Sequence, residues 1–171
     1  RRAFVSELEG MFQVYYDRVS LGREKVMLEY STTIKNDDFP TSLRGSFERD
    51  RILTYTTVGV HRDDLNLSLE GYPVKKLGSQ GQKKSFLTAL KLAQFAYLVK
   101  QKGVKPLLLL DDIFDKLDAD RVSQIIQIVS STDFGQVFVT DTNREHIDEI
   151  LQQHAMEYKI FHVERGEVMD L

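Results

Sequence analysis

Apolar positions at Phe4, Val5, Leu8, Met11, Phe12, Tyr15 and Tyr16 recur at helical spacing, so the chain opens on an amphipathic helix. "KVMLEYST" (Lys25 to Thr32) alternates apolar and polar residues and is rich in strand formers, which predicts a strand. "DFPTSLRGSFERDR" returns to a helical pattern, capped by Thr41 or Ser42 and carrying Leu43, Phe47 and Ile52 on one face. Within "YTTVGVHRDDLNLSLEGYPV", Leu65, Leu67 and Leu69 alternate ahead of Glu70-Gly71, the pattern of a strand entering a hairpin turn.

A long helix follows from about Gln82 to Lys102. It is apolar on nearly every side at Phe86, Leu87, Leu90, Ala93, Phe95 and Leu98, which predicts burial. Gly103 ends it. "KPLLLLDD" is an unbroken apolar run closed by two aspartates, as in a central parallel strand covered on both faces. Asp118 or Asp120 caps the next helix, with Val122, Ile125, Ile126 and Val129 inward. "QVFVTDT" (Gln136 to Thr142) reads as a second buried strand, residues 144–153 as a helix, and "YKIFHVERGEVMDL" as a hairpin or a pair of edge strands. The second half thus alternates helix and strand, the signature of an α/β layer fold, while the first half is mixed.

Composition narrows the classes. The 171 residues suffice for one domain or two small lobes. A net charge of −3 gives no general basic character, although local basic patches remain open. The absence of cysteine excludes disulfides and thiolate metal sites and fits a reducing, cytoplasmic location. No apolar run reaches membrane-spanning length and no signal-peptide pattern opens the chain. The chain starts at Arg1, within a helical pattern and without methionine, so a part of a longer protein is expected.

Two stretches carry candidate chemistry. An apolar strand ending in Asp111-Asp112 sets carboxylates at the carboxyl edge of a parallel sheet, where α/β folds bind ligands. Adjacent carboxylates repel, and a cation such as magnesium (Mg2+) keeps both ionised. On this reading Asp111 orients the metal and Asp112 the attacking water; the alternative is a plain loop cap. In "LGSQGQKKSFLTAL", Gly78 and Gly81 permit close backbone approach and unusual dihedrals, and the helix start with Ser79 attracts an anion. A simple serine cap is the competing reading, and taken alone the stronger one.

The order of these motifs resembles the C-terminal half of ABC-type ATPases. "GSQGQ" (Gly78 to Gln82) resembles the signature motif, "LLLLDD" (Leu107 to Asp112) the Walker B strand and "DKLDADR" (Asp115 to Arg121) the D-loop. "VFVTDT" resembles the strand leading to the switch histidine. "GVHRDDL" (Gly59 to Leu65), with "SQGQKK" and "LLLDDIFDKLD", is similar to the RecF family, in which an Asp-Asp pair commonly replaces Asp-Glu. Val60 stands where that family usually has proline. The likeness is clearest from Arg49 to Thr142.

The resemblance implies an α/β fold, the C-terminal half of an ABC-type (P-loop NTPase) head with a mixed arm lobe. Residues 1–103 would form the arm and signature lobe, and residues 104–171 the Walker B half. It implies ATP and Mg2+ as cofactors, with nucleotide contacts at Ser79, Gly81, Gln82 and Asp118, metal at Asp111 and catalysis at Asp112. It also implies an ATP-dependent homodimer, DNA at single-strand/double-strand junctions, and mediators of the RecR/RecO type. Two departures stand out. Asp141 occupies the switch-histidine position, and no G-x-x-x-x-G-K-[ST] loop occurs, so this stretch alone is expected to be inactive.

His61-Arg62-Asp63-Asp64 reads as a structural corner, since His61 has no second ligand at metal spacing. His146, His154 and His162 likewise show no metal spacing. Lys75, Lys76, Lys83, Lys84, Lys91 and Lys100 fit a solvated face or a DNA-backbone path, as do Arg49, Arg51 and Arg62. The alternatives are another SMC-like repair ATPase, a transporter ATPase, or a non-enzymatic module that binds DNA or a mediator.

Overall fold

The computed structural model describes residues 1–35, 38–112, 115–142 and 157–170. Two compact units divide the chain, Arg1–Lys105 and Pro106–Leu171.

The first unit is built on α1 (Arg2–Ser20) and α4 (Gln80–Lys102), which pack against each other. Val5, Leu8, Phe12 and Tyr16 form the inward stripe of α1, and Phe86, Ala89 and Ala93 that of α4. Small alanines let the helices approach, and the aromatic rings fill the seam: Phe12 and Phe86 lie with centroids 4.6 Å apart. Beside them runs an antiparallel sheet of β1 (Val26–Ser31), β2 (Asp64–Leu69) and β3 (Tyr72–Pro73), contributing Leu28 and Leu69 to the core. The β2–β3 turn has Glu70 and Gly71 at φ 49 and 79, the two left-handed residues of a type I′ hairpin. A single turn, α3 (Val74–Leu77), then leads into α4 and buries Val74.

Two helices differ from expectation. α2 (Phe39–Leu53) is capped by Asp38, whose carboxylate accepts the Thr41 N–H at 3.1 Å, and not by Thr41 or Ser42. Pro40 in its first turn fits that start. The span from Leu43 to Ile52 covers about two and a half turns, so the two side chains point opposite ways. Leu43, Phe47 and Ile52 are all exposed, Ile52 at 79%. What fastens α2 is polar: the Ser46 hydroxyl donates to Asp50, which accepts the Thr57 N–H and hydroxyl. α4 buries Phe86, Ala93 and Phe95 as expected, but Leu87 is 55% exposed and Leu98 is also exposed. Its apolar girdle is therefore covered on part of its circumference.

In the second unit β4 (Leu108–Asp111) pairs in parallel with β5 (Val137–Thr140), aligning Asp111 with Thr140. Between them α5 (Ala119–Val129) buries Val122, Ile125, Ile126, Ile128 and Val129. The parallel pairing matches the sequence pattern, but cover on both faces does not. Leu108 and Leu110 are buried, while Leu109 (64%) and Phe138 are exposed on strands whose side chains alternate, as is Leu107 just ahead of β4. The apolar run marks a strand that favours two covers; among the described residues one face stays open. β6 (Phe161–Glu164) and β7 (Glu167–Asp170) form the expected hairpin around Arg165-Gly166. The expected helix over residues 144–153 lies outside the described residues. No helix among the described residues is long and apolar enough to cross a membrane.

Candidate functional site

The turn into α4 is built on a close approach. Gly78 has an ordinary extended backbone (φ −66, ψ 139), and its N–H donates to the Val74 carbonyl at 3.0 Å. A Cβ at Gly78 would stand 2.7 Å from that same oxygen. Glycine is therefore needed for space, and the unusual dihedrals expected there are not found. Gly81 sits inside the first turn of α4.

Ser79 is the cap. Its Oγ accepts the Gln82 N–H at 3.1 Å, and its own N–H donates to Gln82 Oε1 at 2.8 Å. This reciprocal capping box starts the helix at Gln80, ahead of the expected Gln82. The cap uses a lone pair of the hydroxyl and leaves its proton to donate elsewhere. The N–H groups of Gln80 and Gly81, in the first turn, have no carbonyl to bond within the helix. With the helix dipole behind them, these donors suit an anion, so cap and anion site are one structure.

The Gln82 side chain is committed within the chain. Its Oε1 holds Ser79, and its Nε2 donates to Glu24 Oε1 at 2.9 Å. Glu24 Oε2 in turn accepts the hydroxyl of buried Tyr16 at 2.6 Å. Sequence reading missed Glu24, because a single acid in a turn carries no periodic signal.

Asp111 and Asp112 lie together in the second unit, both exposed at the end of β4. The Asp111–Thr140 register brings the Thr140 hydroxyl to donate to Asp111 Oδ1. The Asp112 N–H donates to the Thr140 carbonyl and reaches its Oγ1, each at 3.1 Å. Asp112 leaves the strand with φ 47, in the left-handed region. Thr140 was legible only as a neighbour of Asp141; its partnership with the acids comes from strand register. The local donors are hard oxygens, which suit magnesium together with phosphate and water. Among the described residues no cluster of three metal-ligating His, Asp or Glu occurs.

Asp118 caps α5: Oδ1 accepts the Arg121 N–H at 2.9 Å, and Oδ2 pairs with Arg121 Nε at 3.2 Å. The Arg121 side chain is only 10% exposed, so this carboxylate serves its own helix. Ser79, Gly81 and Gln82 belong to the first unit, and Asp111, Asp112 and Asp118 to the second.

The His61 to Asp64 corner is tied to other parts of the first unit. Asp63, with a side chain 4% exposed, accepts from the Tyr30 hydroxyl at 2.6 Å and from Arg1 at 2.9 Å. The Tyr30 bond, then those of Thr32 and Arg1, holds the Asp63 carboxyl below its ordinary range, and the same Tyr30–Asp63 bond, with burial, pushes the Tyr30 hydroxyl up. His61 Nε2 lies 3.0 Å from the Thr56 carbonyl, and the Arg62 guanidinium sits over the Tyr55 ring. Arg49, His61 and Arg62 line an open cleft of about 490 Å³. Of the other histidines, His162 lies on β6, while His146 and His154 fall outside the described residues.

No family model matches the chain. It is 47% identical over 171 residues to the DNA replication and repair protein RecF of Bacteroides thetaiotaomicron, covering all of this chain and 46% of that protein. It is 49% identical to RecF of Parabacteroides distasonis (all of this chain, 47% of that protein). With RecF of Flavobacterium johnsoniae it shares 46% over 163 residues (95% and 45%). The chain thus spans about half the length of the curated relatives it matches. Among solved structures, the recombination mediator RecF with ATP of the RecFOR pathway aligns at TM-score 0.70 and 23% identity, over 99% of this chain and 44% of that one. A structure from work on ATP-driven dimerisation and DNA-stimulated activation of SMC ATPases aligns at TM-score 0.54 and 16% identity, over 99% and 86%. The fold is that of an ABC-type ATPase head, in its C-terminal part.

Proposed function

We infer, for a chain that belongs to the RecF family as its C-terminal part, that it supplies the signature surface and the Walker B carboxylates of an ATP-driven DNA repair ATPase. The observation that carries this is the capping box of α4, which leaves the Ser79 proton and the Gln80 and Gly81 amides directed off the start of a 23-residue helix. Such donors fit the γ-phosphate of an ATP held by a second copy. Each nucleotide then joins two chains, and ATP stabilises the dimer by mass action.

In the second unit, Asp111 and Asp112 are the residues that would hold a magnesium ion or its water shell, and the ion would offset phosphate charge. Asp112 positions the attacking water; Thr140 fixes the Asp111 carboxylate through its hydroxyl and the Asp112 backbone through the N–H. Gly81 contributes its amide to the phosphate and Asp118 its place at the start of α5. Loss of the phosphate on hydrolysis removes the link and the copies part. Junction DNA, mediators of the RecR/RecO type and a cytoplasmic setting follow from RecF resemblance. Exposed Lys75, Lys76 and Lys83 beside the turn give DNA phosphates a cationic surface.

Sedimentation of the natural polypeptide carrying these residues, with and without ATP and magnesium, tests the arrangement. ATP should convert the parent protein to a dimer, and Ser79→Arg should stay monomeric while still binding nucleotide. A Ser79→Arg dimer that forms with ATP as readily as the parent overturns it.

A further inference from the structure

We propose that Glu24 is a positioning residue for the α4 turn: it fixes the Gln82 amide so that Ser79, Gln80 and Gly81 present their donors in one arrangement. The proposal rests on the reading of that turn as a phosphate-facing signature.

Glu24 stands in the loop between α1 and β1, far from Gln82 in sequence and in contact with it in the fold. It is anchored from the core side. Tyr16 is fully buried, its ring packs with Phe12 and Phe86, and its hydroxyl donates to Glu24 Oε2. The remaining oxygen, Oε1, receives Gln82 Nε2 at 2.9 Å.

A carboxylate only accepts, whereas a primary amide has one donating and one accepting end. Glu24 therefore selects the end of Gln82 that faces it. With Nε2 held by Glu24, Oε1 is turned to the Ser79 N–H at 2.8 Å. The reverse orientation would set two oxygens against each other and two N–H groups against each other. Once Glu24 chooses, the Ser79 N–H and one Ser79 lone pair are both occupied, and the hydroxyl proton is kept off the side that faces the Gln82 N–H. Gln82, expected as a nucleotide contact, is also the brace between Glu24 and the cap. The core of the first unit thereby sets the geometry of an exposed turn through Tyr16, Glu24 and Gln82.

A double-mutant cycle on the natural polypeptide tests this, read by ATP-dependent self-association and by nucleotide affinity of the monomer. Glu24→Ala should weaken association about tenfold, the scale of one hydrogen bond to a charged group, with nucleotide affinity unchanged. Glu24→Gln keeps an acceptor for Gln82 Nε2 and should restore most of the loss. In a Gln82→Ala background Glu24→Ala should add little, because both act through one contact. Fully additive losses, unchanged association in Glu24→Ala, or a Glu24→Gln as impaired as Glu24→Ala overturn the proposal. Where Ser79→Arg also associates normally, the phosphate-facing reading itself fails; where Ser79→Arg is monomeric and Glu24→Ala is normal, only the role of Glu24 fails. Independently of association, the Gln82 side-chain NH2 resonances should shift in Glu24→Ala and stay near their parent positions in Glu24→Gln. Unmoved resonances in Glu24→Ala also overturn it.

Discussion

Replacing Gly78 by alanine sets two effects of opposite sign against each other. The backbone at Gly78 (φ −66, ψ 139) is one that alanine adopts without strain. On that ground alone Gly78→Ala should stabilise by about 0.4–1 kcal/mol, since it removes freedom from the unfolded chain. The folded state opposes this. The new Cβ would lie 2.7 Å from the Val74 oxygen and 3.0 Å from Val74 Cγ2. The first distance is roughly 0.6 Å inside a close C···O contact of about 3.3 Å. The oxygen belongs to backbone, accepts the Gly78 N–H, and is carried by a residue buried in the core, so relief requires opening α3. Overpacking of this kind costs about 1–3 kcal/mol, leaving a net loss of about 0–2.6 kcal/mol. Gly10→Ala in α1 and Gly45→Ala in α2 are the controls: nothing lies within 4 Å of either added Cβ. Each should gain about 0.5–1 kcal/mol as a glycine leaves a helix interior. Denaturant unfolding of the three variants, compared at equal m-value, decides the case. A Gly78→Ala protein that gains stability as Gly10→Ala does would refute the close-approach reasoning.

Phe12→Ala removes a fully buried ring from the α1–α4 seam and should cost about 3–5 kcal/mol of unfolding free energy; a loss under about 1 kcal/mol would show that the seam collapses around the cavity. Asp63 is held below its ordinary range chiefly by the Tyr30 hydroxyl, and Asp50 chiefly by the Thr57 hydroxyl. A depressed folded value gives stabilisation that is complete above the unfolded carboxylate pKa of about 3.9 and lost as pH falls through the lower folded one. Asp63→Asn should therefore lower stability at neutral pH and flatten its decline below about pH 4, and a pH profile parallel to the parent's would contradict the assignment.

Where a residue type implied its own partner, the sequence was a good guide. The α1 stripe names its buried face because Val5, Leu8, Phe12 and Tyr16 repeat with the helix, and the Glu70-Gly71 turn shows itself through Gly71, which accepts φ above zero after an alternating strand. The α4 cap was equally readable at Ser79, whereas the part of Gln82 in it was not: the signature resemblance names Gln82 as a nucleotide contact, and its bonds to Ser79 and Glu24 appear only in the fold. Other features depend on contacts that pattern does not encode. Hydrophobicity at Leu107 and Leu109 marks surface that favours cover without saying whether these residues supply it. Asp38 was overlooked in favour of hydroxyls inside the first turn, although Pro40 already placed the helix start ahead of them. Thr140 and Glu24 became visible only when register and tertiary contact brought them to Asp111 and Gln82.

The left-handed conformation at Asp112 bears on which acid can stand there. At φ 47 a short polar side chain is tolerated, whereas most residues carry a strain of about 1–2 kcal/mol. Glutamate, which this chain does hold at φ 49 in Glu70, would extend the carboxylate by one methylene and is less favoured in that region than aspartate. Backbone shape, ahead of acid strength, thus favours aspartate, and a longer acid at this position exchanges a longer reach for a weaker hold on the end of β4.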